Sequence, residues 1–417
     1  MKVLIVSLYF PPAGGGGTAR PLKMATHLPE LGIETHVLAP SGFNWVHNDE
    51  EALAAPTLAW VHRARYIGPR GRKPAEELRG TTGLVRYRKH AELFGRRLLV
   101  PDEAVSWNMT ALPAAIRLVK REGIDVVLTT SPPGSVHLIG AGVKRATGVP
   151  WVADLRDPLT GHTHRNIEKF LVRAKEKGSA GVAEIVGRYA DAVVTVSGAI
   201  TEETIARGVR GEVAEIPNGC DFDDFAGLEY RRGETFRITH AGSFFGKRDP
   251  KPFLTALARV EGVSVRFVGD FRAADLEYAH SLNLGDRFEV IPYVPRQESL
   301  RLQRDSEALL LLIAESGGRG RAVLSGKVFE YLAAERPILA VVPPDGAAAD
   351  LIREAGAGVV VATDDVDGIA RELAGLRDRW RAGELDAPPL SDAWRAKLSR
   401  RARMQELADL LHRVSGT

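Results

Sequence analysis

The sequence repeats one pattern twice, in which short apolar runs of strand length alternate with longer segments of mixed polarity. This alternation is typical of a parallel sheet with crossover helices on both faces. The first series of strand-like runs comprises residues 3–7, 34–39, 125–129, 151–154, 192–196 and 213–216. The second comprises residues 237–241, 264–268, 288–291, 308–313, 338–342 and 358–361. The pattern therefore predicts an α/β chain with two doubly wound, Rossmann-like sheets, and ligand-binding residues in the turns directly after strands.

The length of the chain also favours two domains, because 417 residues exceed the usual size of a single hydrophobic core. The polar segment 221–235 contains two glycines and is predicted to be a linker. We expect an N-terminal domain at 1–220, with a basic insertion at about 61–110, and a C-terminal domain at 236–390. The two would face each other across a cleft. Residues 391–417 are expected to form a terminal helical segment that crosses back to the first domain.

Charge is distributed unevenly along the chain. The formal net charge is only +3, yet residues 61–99 contain eleven Lys or Arg and three Asp or Glu. Such a basic segment favours an anionic partner, such as phosphate groups or an acidic membrane surface, although a solvated helical face has the same composition. Zinc-ligand spacings and nucleic-acid-binding motifs are absent from the sequence, so no nucleic-acid partner is expected. The single cysteine, Cys220, fits a cytoplasmic protein.

Residues 325–337 read SGKVFEYLAAERP and follow the apolar run 308–313. The pattern predicts a helix that begins just after a strand, where backbone N–H groups of Ser325 and Gly326 can bind an anion. Gly326 and Lys327 precede Glu330 by four and three residues, so the three share one helix face. We interpret this face as a nucleotide diphosphate site, with Lys327 near the phosphates and Glu330 near the ribose. A solvent-facing Lys327–Glu330 ion pair is the alternative.

A second turn of the same kind follows the run 237–241 and reads AGSFFGKRDP over residues 241–250. Two adjacent cations, Lys247 and Arg248, would stabilise the charge that grows on a diphosphate leaving group. We therefore assign Lys247 and Arg248 catalytic roles.

Two turns of the N-terminal half are further candidates. Residues 14–17 are four glycines, which allow close approach of the backbone to a ligand, and Arg20 follows them. The run 151–154 leads into Asp154, Arg156 and Asp157 before Pro158. Asp157 is the preferred catalytic candidate, as a base or a group that orients the acceptor. Asp154 is expected to cap the next segment or to pair with Arg156, and a purely structural Asp-Arg-Asp network is the alternative.

The order of these motifs resembles that of the retaining glycosyltransferases of family 4, which have the GT-B fold and use nucleotide-sugar donors. The motifs are YFPPAGGGGTARPLKMATHLPELGIETHVL, VTVSGAI, IPNGCD, HAGSFFGKRDPKPFLTAL, SGKVFEYLAAERPILAV and AGAGVVV. The resemblance implies that Glu330 holds the donor ribose and that Gly326 and Lys327 meet the diphosphate. It also implies that Gly15, Gly16 and Gly17 border the donor phosphates and the acceptor, and that Tyr293 and Val294 contact the nucleobase.

Four positions depart from the family pattern. Ala322 stands where an acidic residue often contacts the donor sugar, so Glu315, Arg319 or Arg321 is expected to take that role. Ser243 and Arg248 stand where an Arg and a Lys are usual in the phosphate turn. Arg156 stands in place of the usual His.

The expected activity is transfer of a sugar, with retention of anomeric configuration, from a nucleoside diphosphate sugar to a hydroxyl group. UDP is the expected nucleotide, and neither a metal nor another cofactor is expected. The acceptor would be a small molecule or a lipid-linked glycan, bound beside Arg20, Asp154, Arg156 and Trp107, in synthesis of cell-surface polysaccharides or natural-product glycosides. We expect a cytoplasmic protein with peripheral contact to the inner membrane face. The alternatives are a sugar-nucleotide epimerase, a glycosyl phosphorylase and a non-catalytic sugar-nucleotide-binding protein.

Overall fold

A computed structural model describes residues 1–42, 45, 48–49, 58–67, 82–84, 86–87, 95, 98–161, 170–244, 248–315, 319–385 and 390–417. The chain divides into two compact units. The first consists of Met1–Pro217 and Met404–Thr417, and the second is Asn218–Arg403. The segment 221–235 belongs to the second unit, in which the backbone N–H of Gly233 donates to Glu307 Oε1 at 2.8 Å.

The first unit contains a parallel sheet whose described strands follow the order β3-β2-β1-β4-β5-β6-β7. The strands are β1 Lys2–Ser7, β2 Glu34–Ser41, β3 Trp60–Arg65, β4 Val126–Ser131, β5 Trp151–Leu155, β6 Ala192–Thr195 and β7 Glu212–Glu215. The helices between them whose bounds the structure describes are α1 Ala19–Glu30, α2 Asn108–Glu122, α3 His137–Thr147, α4 Phe170–Tyr189 and α5 Gly198–Ala206. The strand order reverses between β1 and β4, so the turns after these two strands lie at the topological switch point.

Alternate residues of β1 pack on opposite faces of the first sheet. Val3 and Ile5 pack on one face in a cluster with Leu407 and Leu411 of the terminal segment. Leu4 and Val6 pack on the other face with residues of α2 and α3. Because both faces are covered, the central strands read as continuous apolar runs, which is why the sequence located them.

The second unit repeats this architecture with the order β10-β9-β8-β11-β12-β13. Its strands are β8 Phe236–Ala241, β9 Val263–Val268, β10 Phe288–Ile291, β11 Ala308–Leu312, β12 Ile338–Val341 and β13 Gly358–Val361. Its helices are α6 Lys251–Ala258, α7 Ala273–Ser281, α8 Arg296–Arg304, α9 Gly326–Ala334, α10 Ala347–Glu354, α11 Val366–Ala382 and α12 Asp392–Leu398. All described strand pairs are parallel, as they are in the first sheet. The predicted fold class, two doubly wound α/β sheets, is confirmed. The switch point here lies between β8 and β11.

The sequence pattern did not predict β3. Its residues WVHRAR lie in the basic segment, and only Ala64 among them is buried. An edge strand with so little buried surface carries neither an apolar run nor clean alternation, so no periodic signal marks it.

The terminal segment also differs from the single helix expected. Helix α12 ends at Leu398, and α13 (Arg400–Ser415) begins two residues later. The backbone of Cys220 lies between them, since its N–H donates to Leu398 O at 2.6 Å and its carbonyl accepts from the Arg400 N–H at 2.9 Å. Gly219 is required beside this junction, because it has φ +73° and a β-carbon there would lie 2.8 Å from Arg400 Cα.

Candidate active site in the two units

The N-terminus of α9 is open to an anion. Ser325 caps the helix in an extended conformation, and its buried Oγ has no hydrogen-bond partner in the described structure. The N–H groups of Gly326 and Lys327 likewise donate to no acceptor among the described residues. A β-carbon on Gly326 would meet nothing within 4 Å. Donors that lack an acceptor, at the positive end of a helix dipole and beside open space, can bind an oxyanion.

Lys327 turns back from this helix toward the end of β8. Its Nζ donates to the carbonyl of Ala241 at 2.6 Å and lies 3.4 Å from Nε2 of His240. His240 Nδ1 is 2.8 Å from Leu310 O, which can only accept, so Nδ1 carries the proton and Nε2 is an acceptor. Burial, together with the cations Lys327 and Arg248, lowers the pKa of His240 well below its ordinary value. The histidine therefore stays neutral beside the lysine.

Arg248 supplies the second cation of this cluster. Its Nη1 donates to Ser243 O at 3.0 Å, and its carbonyl accepts from Arg272 Nη2 at 2.7 Å. Burial lowers the pKa of Arg248. Burial, followed by the charge of Arg248, lowers the pKa of Lys327 well below its ordinary value, and Glu330 offsets this only in part. Arg248 thus disfavours the charged form of Lys327, and an oxyanion bound beside the two residues would favour it. Lys247 lies outside the described residues.

Glu330 is bound by residues that the sequence reasoning missed. Its Oε1 accepts from Arg296 Nη1 of α8, and its Oε2 accepts from Gln303 Nε2 at 3.4 Å. The other amino group of Arg296 donates to Asp224 Oδ2 at 2.9 Å. Burial acts to lower the pKa of Arg296, but the carboxylates of Glu330 and Asp224 overcome it and raise that pKa. The expected alternative pair, Lys327 with Glu330, is not among the ion pairs of the structure, because Lys327 turns away.

Other donor-side predictions lie at the same edge of the sheet. Tyr293 and Val294 are half-buried in the turn between β10 and α8. Ser243 follows β8, and its Oγ accepts from the N–H of Asp270, which follows β9. Arg321 pairs with Asp345 at 2.8 Å and lies 3.8 Å from Glu315. These turns all follow strand ends, where ligands bind in doubly wound sheets.

Two arginines donate to carbonyls in and ahead of the glycine turn of the first unit. Arg63 Nη2 donates to Pro11 O at 2.5 Å, and Arg156 Nη1 donates to Gly17 O at 2.6 Å. Within the described structure, the N–H groups of residues 14–17 donate to no acceptor. Gly15 has φ +90°, and a β-carbon on Gly17 would lie 3.3 Å from the Tyr9 ring. Gly15, Gly16 and Gly17 thus present consecutive N–H groups, an arrangement that binds anions.

Arg20 and Asp154, expected beside the acceptor, form a buried ion pair with each other, so neither side chain is exposed. Both are at most 2% exposed, and Arg20 Nη2 lies 2.8 Å from Asp154 Oδ1. Arg20 Nη1 also donates to Pro217 O at 3.1 Å, and Thr130 Oγ1 donates to Asp154 Oδ2 at 2.6 Å. The expected partner of Asp154, Arg156, is replaced by Arg20, which corrects the sequence expectation. The physical reason is that the fold brings α1 next to the carboxyl end of β5, one strand beyond the switch point, although the two are far apart in sequence.

Trp107, which was also expected beside the acceptor, is likewise buried. It is 1% exposed and packs in the core, and its indole N–H donates to Ala64 O at 3.2 Å. Arg156 is held by Ser131 O at 2.5 Å as well as by Gly17 O, with its Nη2 buried and unpartnered in the described structure. Burial lowers the pKa of Arg156. Asp157, the next residue, is exposed and makes no hydrogen bond to any described residue. Of the acidic pair, only Asp157 is accessible to a substrate.

The described residues contain no group of three or more His, Cys, Asp or Glu side chains that could hold a metal ion. No helix in the described ranges is both long and apolar enough to cross a bilayer.

Residues 15–219 match the family model described as glycosyl transferase 4-like domain. No curated protein sequence matches the chain significantly. Among solved structures, sucrose-phosphate synthase from Thermosynechococcus elongatus is 14% identical with a TM-score of 0.70, covering 100% of this chain and 99% of its own. Anabaena HepE in complex with UDP-glucose is 14% identical with a TM-score of 0.67, covering 99% of this chain and 100% of its own.

A glycosyltransferase from Rickettsia africae is 13% identical with a TM-score of 0.64, covering 99% of this chain and 98% of its own. At these identities the structural likeness establishes the fold, which is GT-B. Residues 15–219 therefore carry a glycosyl transferase 4-like domain.

Proposed function

We propose that this glycosyltransferase moves a sugar from a nucleoside diphosphate sugar to a hydroxyl acceptor with retention of anomeric configuration. UDP is the proposed nucleotide, and no metal ion is required. The observation that carries the proposal is the cation cluster of the second unit, formed by Lys327 and Arg248 beside the open N-terminus of α9. HepE, of the same fold, has been solved with UDP-glucose.

The cluster suits a departing diphosphate. As the bond between the anomeric carbon and the diphosphate oxygen breaks, negative charge accumulates on the phosphates. Lys327, Arg248 and the N–H groups of Gly326 and Lys327 are fixed before the reaction, so stabilising this charge needs little reorganisation. They supply the positive charge that Mg²⁺ supplies in other phosphate chemistry.

The ribose is assigned to Glu330. Arg296 and Gln303 each occupy one of its oxygens, but every carboxylate oxygen can accept more than one hydrogen bond. Ribose hydroxyls can therefore still donate to Glu330, whose orientation Arg296 fixes.

The acceptor hydroxyl attacks the anomeric carbon from the face that the diphosphate leaves, and its proton passes to a departing phosphate oxygen. Asp157 is the proposed acceptor-orienting group, because it is exposed at the carboxyl end of β5. We place the reaction in synthesis of cell-surface polysaccharides or natural-product glycosides.

A donor panel tests the proposal. The purified protein is incubated with UDP-, GDP- and dTDP-sugars, with and without pooled small-molecule and lipid-linked hydroxyl acceptors. Acceptor-dependent release of nucleoside diphosphate, abolished in Lys327→Met, is expected. A C2-epimerised donor would instead identify an epimerase, and saturable binding without turnover would identify a binding protein.

Two further measurements test the retention of anomeric configuration and the independence of metal ions. Proton NMR of the product at early times gives the anomeric configuration, and an inverted product overturns retention. Activity that persists in excess EDTA is expected, and loss that added Mg²⁺ restores would overturn metal independence.

A further inference from the structure

A basic groove of about 820 Å³ lies on the first unit and includes Arg63, which also binds Pro11 O ahead of the glycine turn. It is formed by β2, β3 and α2, and its lining includes His62, Arg63, Arg117, Lys120 and Arg121. Lys120 and Arg121 lie in the last turn of α2, which leads into the start of β4. This end of the groove therefore lies toward the amino ends of the strands, opposite the edge that carries the glycine turn.

Positive charge in the groove is poorly compensated. No carboxylate is among the described residues that line it. Arg117 and Lys120 are exposed and form no ion pair with any described residue, and Arg63 donates to two neutral carbonyls, Pro11 O and Pro40 O. Arg121 is paired, with Glu122 Oε1 at 2.6 Å. Three cations without carboxylate partners, on two elements that face each other, favour a multiply charged anion.

His62 lies in this groove and ends a hydrogen-bonded chain. Glu34 Oε1 lies 3.1 Å from His36 Nε2, and His36 Nδ1 lies 3.0 Å from His62 Nε2. A carboxylate only accepts, so neutral His36 carries its proton on Nε2 and accepts at Nδ1 from His62 Nε2–H. The other nitrogen of His62, Nδ1, is then the one that takes up a proton.

We propose that this groove is a binding site for a phosphate-bearing ligand, a lipid headgroup or a soluble polyphosphate, and that protonation of His62 strengthens the binding. The site is separate from the donor site proposed above and does not depend on it.

The charged groups around His62 determine whether binding strengthens or weakens as the pH falls. Burial, then positive charge on His36 whenever that ring is protonated, then Arg121, lower the pKa of His62, and Glu122 opposes them. The neighbouring β3 residue Arg63 adds positive charge to the same groove. A bound anion reverses this balance and raises the pKa of His62. Affinity therefore increases as the pH falls through the range between the free and bound values.

The first experiment compares two charge-reversal variants. Arg117→Glu/Lys120→Glu changes the groove, and Arg145→Glu/Arg210→Glu makes the same charge change at exposed cations of the same unit that do not line it. Binding is measured by calorimetry with inorganic tripolyphosphate, and by sedimentation with phosphatidylcholine vesicles that contain about one third phosphatidylglycerol. We expect the groove variant alone to bind about tenfold more weakly in one arm, because two favourable charges become repulsive.

The arm that shows this loss identifies the source of the phosphate. Binding of tripolyphosphate at α9 is common to both variants and cancels in the comparison. Equal binding by the two variants in both arms, or no binding by the unmodified protein in either, overturns the proposal.

The second experiment isolates His62. Phosphatidylglycerol carries a phosphodiester, and a sulfated oligosaccharide serves the soluble arm, so the charge of either probe is constant from about pH 5.5 to about pH 7.5. We expect binding of the unmodified protein to strengthen about threefold or more at the lower pH, and His62→Gln to remove this dependence. A variant with undiminished pH dependence overturns the role of His62.

Discussion

A β-carbon on Gly242 would overlap the ε-amino group of Lys327, so the glycine is required for the lysine to reach its place. The backbone at Gly242, with φ +130°, is also one that side chains disfavour. We expect Gly242→Ala to displace the amine from Ala241 O and to raise the donor KM about tenfold, since a charged hydrogen bond is worth about 1.5–3 kcal/mol. Steady-state kinetics with the donor that the panel identifies measure this.

Gly356→Ala is the matched control. It also has a positive φ, +62°, but a β-carbon there meets nothing within 4 Å. Its donor KM should stay unchanged while its stability falls slightly. Equal KM values for the two variants would contradict the link between Gly242 and Lys327.

The lowered pKa of Lys327 predicts proton uptake when the diphosphate binds. Burial and Arg248 favour the neutral amine in the free protein, and a bound diphosphate favours the charged one. Between the two pKa values binding takes up a proton, so affinity falls as the pH rises through that window. Calorimetric titrations of UDP in buffers of different ionisation enthalpy measure the uptake. Lys327→Met should abolish it, and uptake that persists in this variant would assign the proton to another group.

Glu330 and Asp224 both bind Arg296. Substituting each carboxylate in turn therefore distinguishes ribose binding by Glu330 from mere neutralisation of Arg296. If Glu330 holds the ribose, Glu330→Ala raises the donor KM about tenfold, while Asp224→Asn, which also removes a carboxylate from Arg296, changes it less than about twofold. If Glu330 serves only to neutralise Arg296, the two variants behave alike. Donor kinetics and thermal unfolding of both variants decide between these outcomes.

The sequence alone located the helices and strands that are marked by contiguous residues. β11 and the start of α9 were located because the apolar run Ala308–Leu312 and the turn at Ser325 are contiguous in the chain. The edge strand β3 was missed because it buries little surface, so its sequence has neither an apolar run nor an alternation of apolar and polar residues. The break between α12 and α13 was missed because Cys220, far away in sequence, supplies the hydrogen bonds that interrupt the helix.

Side-chain partners were harder to predict than elements. Arg20 and Asp154 are 134 positions apart, and Arg296 and Glu330 are 34 apart, so topology alone brings them together. Residue type and spacing indicated that Glu330 and Lys327 share a helix face. They could not show that each turns to a different neighbour.

The buried pair of Arg20 and Asp154 predicts a structural phenotype. Arg20→Met leaves Asp154 with the hydroxyl of Thr130 but no cation, and loss of one partner of a buried pair costs about 3–5 kcal/mol. Urea unfolding measures the change. Lys144→Met is the control, because its pair with Asp191 is about one third exposed and should contribute less than about 1 kcal/mol. An Arg20→Met protein of unchanged stability but raised acceptor KM would restore the acceptor role.

His137 predicts a loss of stability in acid. It is fully buried at the start of α3, where Thr129 Oγ1 lies 2.8 Å from Nδ1 while Nε2 has no partner in the described structure. Burial lowers its pKa from 6.5 to about 4. The folded state thus resists a proton that the unfolded chain accepts, so stability is complete above about pH 6.5 and declines toward about pH 4. The full difference is worth about 3 kcal/mol, and His137→Gln should lose that much less free energy of unfolding than the unmodified protein between about pH 7.5 and about pH 4. Urea titrations at the two pH values measure both losses. Carboxylates and His240 contribute equally to the two proteins, so equal losses would contradict the assignment to His137.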